Sequence, residues 1–189
     1  REQKHTILLI ASYIFYAYWD ARFLLLLILQ TYISYVLAKQ IERSESRSKA
    51  KRWMLLGVSI SLAILGFFKY FNFFVQSFAS LFGITSLGAL NIILPVGISF
   101  YTFLALSYLI DVYRGKLRAC DRFLKISLYI SFFPQLVAGP IVRASDFLPQ
   151  LEEDRPMNQQ NLVEGLQIFL FGLIKKIVIA DQLAVCVDA

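Results

Sequence analysis

The chain has 189 residues, of which 58% are hydrophobic and only 17% are charged, and its formal net charge is +6. Its mean hydropathy of +0.61 and its long apolar runs exceed what a water-soluble core needs. The composition therefore excludes an ordinary soluble domain and predicts an integral membrane protein. The basic residues cluster in short loops and have no folded domain to present them, which argues against nucleic-acid binding.

The apolar runs predict an all-α, polytopic bundle of transmembrane helices that forms one membrane domain. Runs at 6–19 and 23–38 are each slightly short for a span. Asp20 and Arg22 separate them, which favours a helical hairpin over one helix that would carry both charges at mid-membrane. The other predicted helices lie at 53–75, at 91–113, at 123–139 as a broken segment, and at 159–188.

Two basic loops predict the orientation of the bundle. Residues 39–52 hold six Lys and Arg, and residues 114–125 hold five. Two crossings separate the loops, so both are expected on the same side of the membrane. The positive-inside rule assigns that side to the cytoplasm. We therefore expect a multi-pass protein of the cell (inner or plasma) membrane, surrounded by membrane lipid.

The segment FFPQLVAGPIVRASDFLPQL, which runs from Phe132 to Leu151, is too interrupted for an ordinary span. Pro134, Gly139 and Pro140 weaken or stop a helix here. Broken backbone at membrane depth is tolerated only where it is buried in protein or lines a watery cavity. The pattern predicts a broken or re-entrant segment that makes room for a substrate.

The last predicted helix carries ionisable residues inside an apolar pattern. Lys175, Lys176 and Asp181 would be costly at membrane depth and indicate function there. A helix that lies in the interface, with both lysines at the headgroups, is an equal alternative. Lys176 and Asp181 are five residues apart and do not share an α-helical face, so a partner for Asp181 is expected on another element.

Other motifs are absent from the sequence. It has no nucleotide loop, no serine-nucleophile elbow and no metal-ligand spacing, so neither a metal site nor a bound cofactor is expected. Cys120 and Cys186 form no disulfide framework. Hydroxyl side chains stud the helix at 91–113, and most of them are expected to bond to the backbone of a neighbouring helix.

Three blocks of sequence together resemble a known family. LPVGISFYTFLALSYLIDVYRG begins at Leu94, SFFPQLVAGPIVRASDFLPQL begins at Ser131, and GLIKKIVIADQLA begins at Gly172. They resemble the membrane-bound O-acyltransferases, and more narrowly the bacterial branch of the alginate acetylation type, which O-acetylates exported polysaccharides. The first third of the chain matches only in hydropathy and loop charge. The resemblance implies that the chain is an N-terminal fragment of a larger fold of this type.

The resemblance implies transfer of an acyl group, with acetyl favoured, from a cytoplasmic thioester to a hydroxyl. Acetyl-CoA or another acyl thioester would act as co-substrate. The acceptor would be an exported polysaccharide or a relay protein, with an extracytoplasmic acetyltransferase as partner. The family's catalytic histidine is expected beyond Ala189, and His5 does not match its position. No catalytic residue is therefore expected in this chain, which by itself should be inactive.

Within the matched blocks, a few residues could line the passage or bind an anionic donor. These candidates are Gln135, Arg143, Lys175 and Lys176, and the break itself is assigned to Pro134, Gly139 and Pro140. Two other interpretations of the chain stay open. It could pass D-alanine toward teichoic acid, as a neighbouring branch of the family does. It could also be a non-enzymatic membrane protein, either a transporter or channel part with broken helices along its path or a structural subunit.

Overall fold

The computed structural model describes residues 2–81, 93–136, 139–153 and 158–187, and every regular element in these ranges is helical. The all-α fold class is confirmed. The helices are α1 (Glu2–Glu42), α2 (Arg47–Leu81), α3 (Ile98–Tyr113), α4 (Phe123–Ser131), α5 (Phe133–Leu136), α6 (Ala144–Glu152), α7 (Gln159–Ile174), a π-helical segment (Lys175–Ala180) and α8 (Asp181–Val187). The chain divides into two compact units, Arg1–Glu152 and Glu153–Ala189, which are described separately.

Helix α1 folds back on itself at Asp20, where the backbone is extended (φ −160°, ψ 110°). Near its start, Glu2 pairs with Arg122. Near its end, the Tyr35 hydroxyl donates to the carbonyl of Asp121 at 2.8 Å. A straight helix would place residues 2 and 35 about 50 Å apart. Both contacts therefore require two antiparallel limbs, and of the two predicted arrangements the structure has the hairpin.

The tip of this hairpin is held by its own charges. The Asp20 carboxylate accepts a hydrogen bond from the Arg22 amide at 2.9 Å, which is N-cap geometry for the second limb. The same carboxylate binds the Arg22 guanidinium at 2.7 Å. Tyr18 and Trp19 are exposed beside the turn. The two charged residues thus start the second limb and are paired with each other.

Several observed helix ends differ from the predicted ones. Helix α2 is longer than 53–75 because the basic residues from Arg47 onward already belong to its first turns. Helix α3 starts at Ile98 rather than at 91, since Pro95 lacks an amide hydrogen and Gly97 is left-handed. Residues 82–92 and 137–138, which include parts of the predicted segments, lie outside the described residues.

Helix α3 forms the centre of the first unit and packs against α1, α2 and α4. Its largest buried side chains are Tyr101, Leu104, Tyr108 and Leu109. Helix α2 approaches α3 closely at Gly57, where an added Cβ would lie 2.6 Å from the Leu109 side chain and 3.0 Å from that of Leu37. A small residue here lets three helices meet, as is common in membrane bundles.

Two apolar stretches of the described residues are long enough to cross a membrane, one within the hairpin α1 (Glu2–Glu42) and one within α2 (Arg47–Val75). Helix α3 is a shorter apolar helix. The outward-facing side chains of α2 are also apolar, with Phe67, Phe74 and Phe78 largely exposed. Such a surface fits a hydrocarbon surrounding, and together with the composition it supports a membrane protein.

Candidate functional site

The non-helical segment just before α3 and the break after α4 meet backbone to backbone, and we call them the two breaks. Gly97, just before α3, has φ +73°, a conformation that favours glycine. A Cβ at Gly97 would lie 2.6 Å from the carbonyl oxygen of Leu136, at the end of α5. No other residue type fits this contact without displacing one of the two segments. The first two matched sequence blocks are therefore parts of a single packed junction.

The break after α4 has a defined structure on its described side. The amides of Gln135 and Leu136 both donate to the Phe132 carbonyl at 3.1 Å, which forms the short helix α5. Pro134 lies in the first turn of α5, where a missing amide hydrogen costs little. Gly139 then donates to the Gln135 carbonyl at 3.1 Å. An added Cβ at Gly139 would lie only 2.4 Å from the Gln135 Cα, so the chain folds tightly over itself here.

The predicted site residue Gln135 lies buried inside this junction. Its side-chain nitrogen donates to the Tyr129 carbonyl at 2.9 Å. That carbonyl is in the last turns of α4 and would otherwise lack a helical partner. The amide of Gln135 therefore ties α5 to the end of α4. A contact between Gln135 and substrate stays a prediction.

Tyr129 connects three elements of the junction, and the sequence analysis missed it. Its hydroxyl donates to the Val142 carbonyl at 2.9 Å and lies 3.3 Å from the Ser107 hydroxyl of α3. Its ring packs on Phe147 of α6 with centroids 5.5 Å apart. An aromatic residue in an apolar helix is ordinary. The only available signal was that a buried tyrosine hydroxyl needs a partner.

The first limb of α1 satisfies backbone groups that the two breaks leave open. The buried Ser12 hydroxyl accepts a hydrogen bond from the Phe133 amide at 3.3 Å. Tyr16 donates to the Val96 carbonyl at 3.0 Å. Unpaired backbone groups cost several kcal/mol in hydrocarbon. Side chains of α1 thus supply partners to backbone groups that the two breaks leave open.

The buried side chain of Gln30 adds a polar contact to the interior of the bundle. Its nitrogen donates to the Thr102 hydroxyl of α3 at 3.1 Å. Its side-chain oxygen has no hydrogen-bond partner among the described residues. A buried acceptor without a partner is uncommon in proteins. Gln30 is therefore a polar group of the interior whose hydrogen bonding is incomplete in the described part of the chain.

The expectation that the hydroxyls of α3 bond to the backbone of a neighbouring helix is wrong for three of them. Thr102 pairs with the side chain of Gln30. Ser107 donates to the Leu104 carbonyl within α3 itself at 2.9 Å. The Tyr108 hydroxyl accepts from the Cys120 amide at 2.9 Å, in the loop after α3. These three hydroxyls bond to a side chain, to their own helix or to the following loop, and not to the backbone of a neighbouring helix.

Arg143 is exposed and lies just before α6. Its backbone carbonyl accepts hydrogen bonds from the amides of Asp146 and Phe147, both at 3.0 Å. These bonds start α6. Among the residues that the structure describes, its guanidinium makes no ion pair. Arg143 is therefore available to an anion, unlike the amide nitrogen of Gln135.

Lys175 and Lys176 belong to the second unit and stand in its π-helical segment. The Lys176 ammonium lies 2.8 Å from the Asp181 carboxylate, so the expectation of a partner outside the helix predicted at 159–188 was wrong. The π-helical segment closes i→i+5 hydrogen bonds, as from the Asp181 amide to the Lys176 carbonyl, and this brings residues five apart close together. The Lys175 ammonium lies 4.5 Å from the centroid of the Phe171 ring.

The described residues offer little to a metal. No group of three or more His, Cys, Asp or Glu side chains within them could hold a metal ion. His5 lines a cavity with Arg122, Lys125 and Glu152, at the end of the bundle that carries the loop after α3. This histidine does not lie in the junction of the two breaks.

Comparison with known proteins gives relatives over nearly the whole chain. "Probable alginate O-acetylase AlgI" of Pseudomonas putida is 42% identical over 189 residues, which cover 98% of this chain and 39% of the relative. The protein of the same name from Pseudomonas aeruginosa is 41% identical, with 98% and 36% covered. "Peptidoglycan O-acetyltransferase" of Helicobacter pylori is 36% identical over 203 residues, with 94% and 38% covered.

The chain thus spans between 36% and 39% of the length of these three relatives. No family model matches it, and no solved structure matches it. The aligned region contains all three sequence blocks and both breaks, because it covers nearly the whole chain.

Proposed function

We propose that the protein to which this chain belongs is a membrane-bound O-acyltransferase of the O-acetylase type that its relatives' names indicate. The observation that carries this proposal is the identity of about 40% over 98% of the chain with proteins named O-acetylases. The junction of the two breaks lies in the region that aligns with these proteins, and it includes the close backbone contact at Gly97.

The reaction we propose is transfer of an acyl group, with acetyl favoured, from a thioester to a hydroxyl. The hydroxyl oxygen bonds to the thioester carbonyl carbon, the carbon–sulfur bond breaks, and the thiol leaves with a proton. A general base takes the hydroxyl proton, and positive charge or hydrogen-bond donors stabilise the oxyanion. We expect the base to be a histidine outside this chain and the chain alone to be inactive. Acetyl-CoA or another acyl thioester is the proposed donor.

This chain's contribution to the reaction is a broken framework with an exposed cation beside it. The framework holds non-helical backbone inside the protein through hydrogen bonds that Tyr16 and Tyr129 donate and Ser12 accepts. Arg143 is exposed beside it and can meet an anionic donor or a developing oxyanion. Gln135 would affect the reaction indirectly, because its side chain ties α5 to the end of α4 and so fixes the shape of the break. Lys175 and Lys176 are the remaining candidates for a passage lining.

The acceptor we propose is an exported polysaccharide, reached directly or through an extracytoplasmic partner protein. The relatives' names mention alginate and peptidoglycan, both of which are polysaccharides with free hydroxyls. The same names favour acetyl transfer over transfer of D-alanine.

We further propose that the basic loops face the cytoplasm, where a thioester donor would enter. Two contacts support this proposal. Arg47, at the start of α2, donates to the Tyr113 carbonyl at 2.7 Å and stacks on the ring of Tyr113. Tyr35, near the end of α1, donates to the carbonyl of Asp121 in the second loop. Loops of one sign at one end fit the positive-inside rule.

The test is Arg143→Ala in the full-length protein, with release of ester-linked acetate from extracted polysaccharide as readout. We expect a loss of transfer of about tenfold or more, in line with a charge-assisted hydrogen bond to an anion, with normal insertion into the membrane. Arg43→Ala is the matched control, because Arg43 is also exposed and makes no ion pair among the described residues. Equal transfer by both variants would remove Arg143 from the site. No ester-linked acetate with the wild-type protein would refute the function itself.

A further inference from the structure

A charged cavity lies at the end of the bundle that carries the basic loops, apart from the junction of the two breaks and next to the cavity beside His5. It is a cavity of about 410 Å³ between the loop after α3, the start of α4 and the end of α6. Its lining includes Arg118, Arg122, Lys125, Asp121 and Glu152. None of the predicted passage residues contributes to it. The cavity therefore calls for its own explanation.

The charges of this cavity leave one cation unused. Lys125 pairs with Glu152 at 2.5 Å, and Arg122 pairs with Glu2. Arg118 is exposed at the cavity and makes no ion pair among the residues the structure describes. Within the lining, three cations stand beside two carboxylates. A third carboxylate, Glu2, reaches Arg122 from α1, and Asp121 lies on the same loop as Arg118 with no ion pair among the described residues. An arginine without a partner can bind phosphate oxygens through two parallel hydrogen bonds.

The walls of the cavity suit a small anion attached to a larger group. Ala119, Leu117 and Leu148 supply apolar surface beside the charges. Helix α4 begins at its edge, and its N-cap residue Arg122 makes no side-chain cap hydrogen bond. The positive end of the α4 dipole at this edge favours negative charge. A volume of about 410 Å³ holds a phosphate together with part of the molecule that carries it.

We propose that this cavity binds a phosphate group, with Arg118 as the main contact. Two sources carry this chemistry at a membrane surface: a soluble phosphate ester or pyrophosphate, and the headgroup of an anionic phospholipid. The site is independent of the proposed acyl transfer, since it shares no residue with the junction. Binding here would add a docking point for an anionic molecule at the end of the bundle with the basic loops.

Cys120 provides a built-in reporter for occupancy. Its side chain lines the cavity and is partly exposed. Burial raises the pKa of the Cys120 thiol. The thiol will thus react slowly at neutral pH and measurably at mildly alkaline pH. A phosphate in the cavity would shield it from an alkylating reagent.

The experiment measures alkylation of Cys120 in the full-length protein by peptide mass spectrometry, at constant ionic strength. One arm adds inorganic pyrophosphate to nanodiscs of phosphatidylcholine. The other arm replaces part of that lipid with phosphatidylglycerol. At ten times its Kd, pyrophosphate leaves about a tenth of the cavities empty, so the alkylation rate should fall about tenfold. Protection in the first arm identifies a soluble ligand, and protection only in the second identifies a lipid headgroup.

Arg118→Gln should abolish this protection, whereas Lys116→Gln should preserve it. Lys116 is an exposed cation of the same loop that does not line the cavity. Equal protection in both variants would overturn the proposal, and so would the absence of protection in both arms of the wild-type protein. If Arg118→Gln fails to fold, the two wild-type arms still decide whether the cavity binds a phosphate group.

Discussion

The chain interrupts its helices in two different ways. At residues 132–140 the interruption contains two prolines and a glycine, and it is packed against Gly97 and the first limb of α1. At Lys175–Ala180 the helix continues as a π-helix over the sequence KKIVIA, which has neither proline nor glycine. The first interruption removes backbone donors and must be repaired by other elements. The second keeps its backbone bonded but shifts the register by one residue.

The two interruptions therefore depend on different parts of the chain. The first is a tertiary feature, because Ser12 of α1 accepts a hydrogen bond from its Phe133 amide. Tyr16 and Tyr129 bond the carbonyls of Val96 and Val142 on either side of the junction. The second is local, because its side-chain pair, Lys176 with Asp181, is close in sequence. Substitutions at the first should therefore cost much more stability than substitutions at the second.

The largest effect is expected for Gly97→Ala. The new Cβ would meet the Leu136 carbonyl oxygen, and alanine would also have to adopt φ +73°. We expect the free energy of unfolding to fall by about 2–5 kcal/mol, as strain and overpacking add. Thermal unfolding of the purified full-length protein in detergent measures the change.

Gly115→Ala is its matched control, because Gly115 has the same φ of +73° and no atom within 4 Å of an added Cβ. This variant should lose only about 1–2 kcal/mol from the strained backbone. Equal losses for the two variants would show that the close contact at Gly97 contributes nothing, and the tertiary character of the first break would be refuted.

A smaller effect is expected for Tyr129→Phe. The substitution keeps the ring against Phe147 but leaves the Val142 carbonyl without its donor. We expect a loss of about 1–3 kcal/mol in the free energy of unfolding, the cost of a buried unpaired acceptor. Tyr18→Phe, at an exposed tyrosine of the hairpin tip, should change stability by much less. If the two variants unfold at the same temperature, Tyr129 does not hold the junction together.

The smallest effect is expected for Asp181→Asn, which removes the partner of Lys176. Both side chains are about half exposed or more, and such pairs contribute under about 1 kcal/mol. Acetate transfer by this variant compared with Lys176→Met tests a functional role for the lysine. A large loss of transfer in Lys176→Met alone would assign function to the ammonium group. A thermal shift in Asp181→Asn as large as in Gly97→Ala would contradict the local character of the second interruption.

The sequence predicted what depends on backbone chemistry and composition. It indicated the all-α membrane class and the break at Pro134, Gly139 and Pro140, because missing donors and flexible residues have the same consequence in any context. It also singled out Arg143, which the structure leaves exposed and without an ion pair among the described residues.

The sequence could not predict which side chains repair the break. Ser12 lies 121 residues from the Phe133 amide that it supports, and Tyr129 lies 13 residues from the Val142 carbonyl that it supports. Neither differs locally from ordinary residues of an apolar helix. The π-helical register at 175–180 was missed for a related reason. No residue type enforces it, so an α-helical face was assumed and the pairing of Lys176 with Asp181 was overlooked.

The contact between Gly97 and Leu136 also bears on how such proteins can be recombined. Two segments that touch through backbone, with no side chain between them, must keep matching backbone paths. Exchanging residues 94–115 between homologues while leaving residues 131–151 in place would bring together two backbone segments from different proteins. Viable hybrids should therefore arise when both segments come from the same parent, and the crossover points that yield them should fall outside this pair.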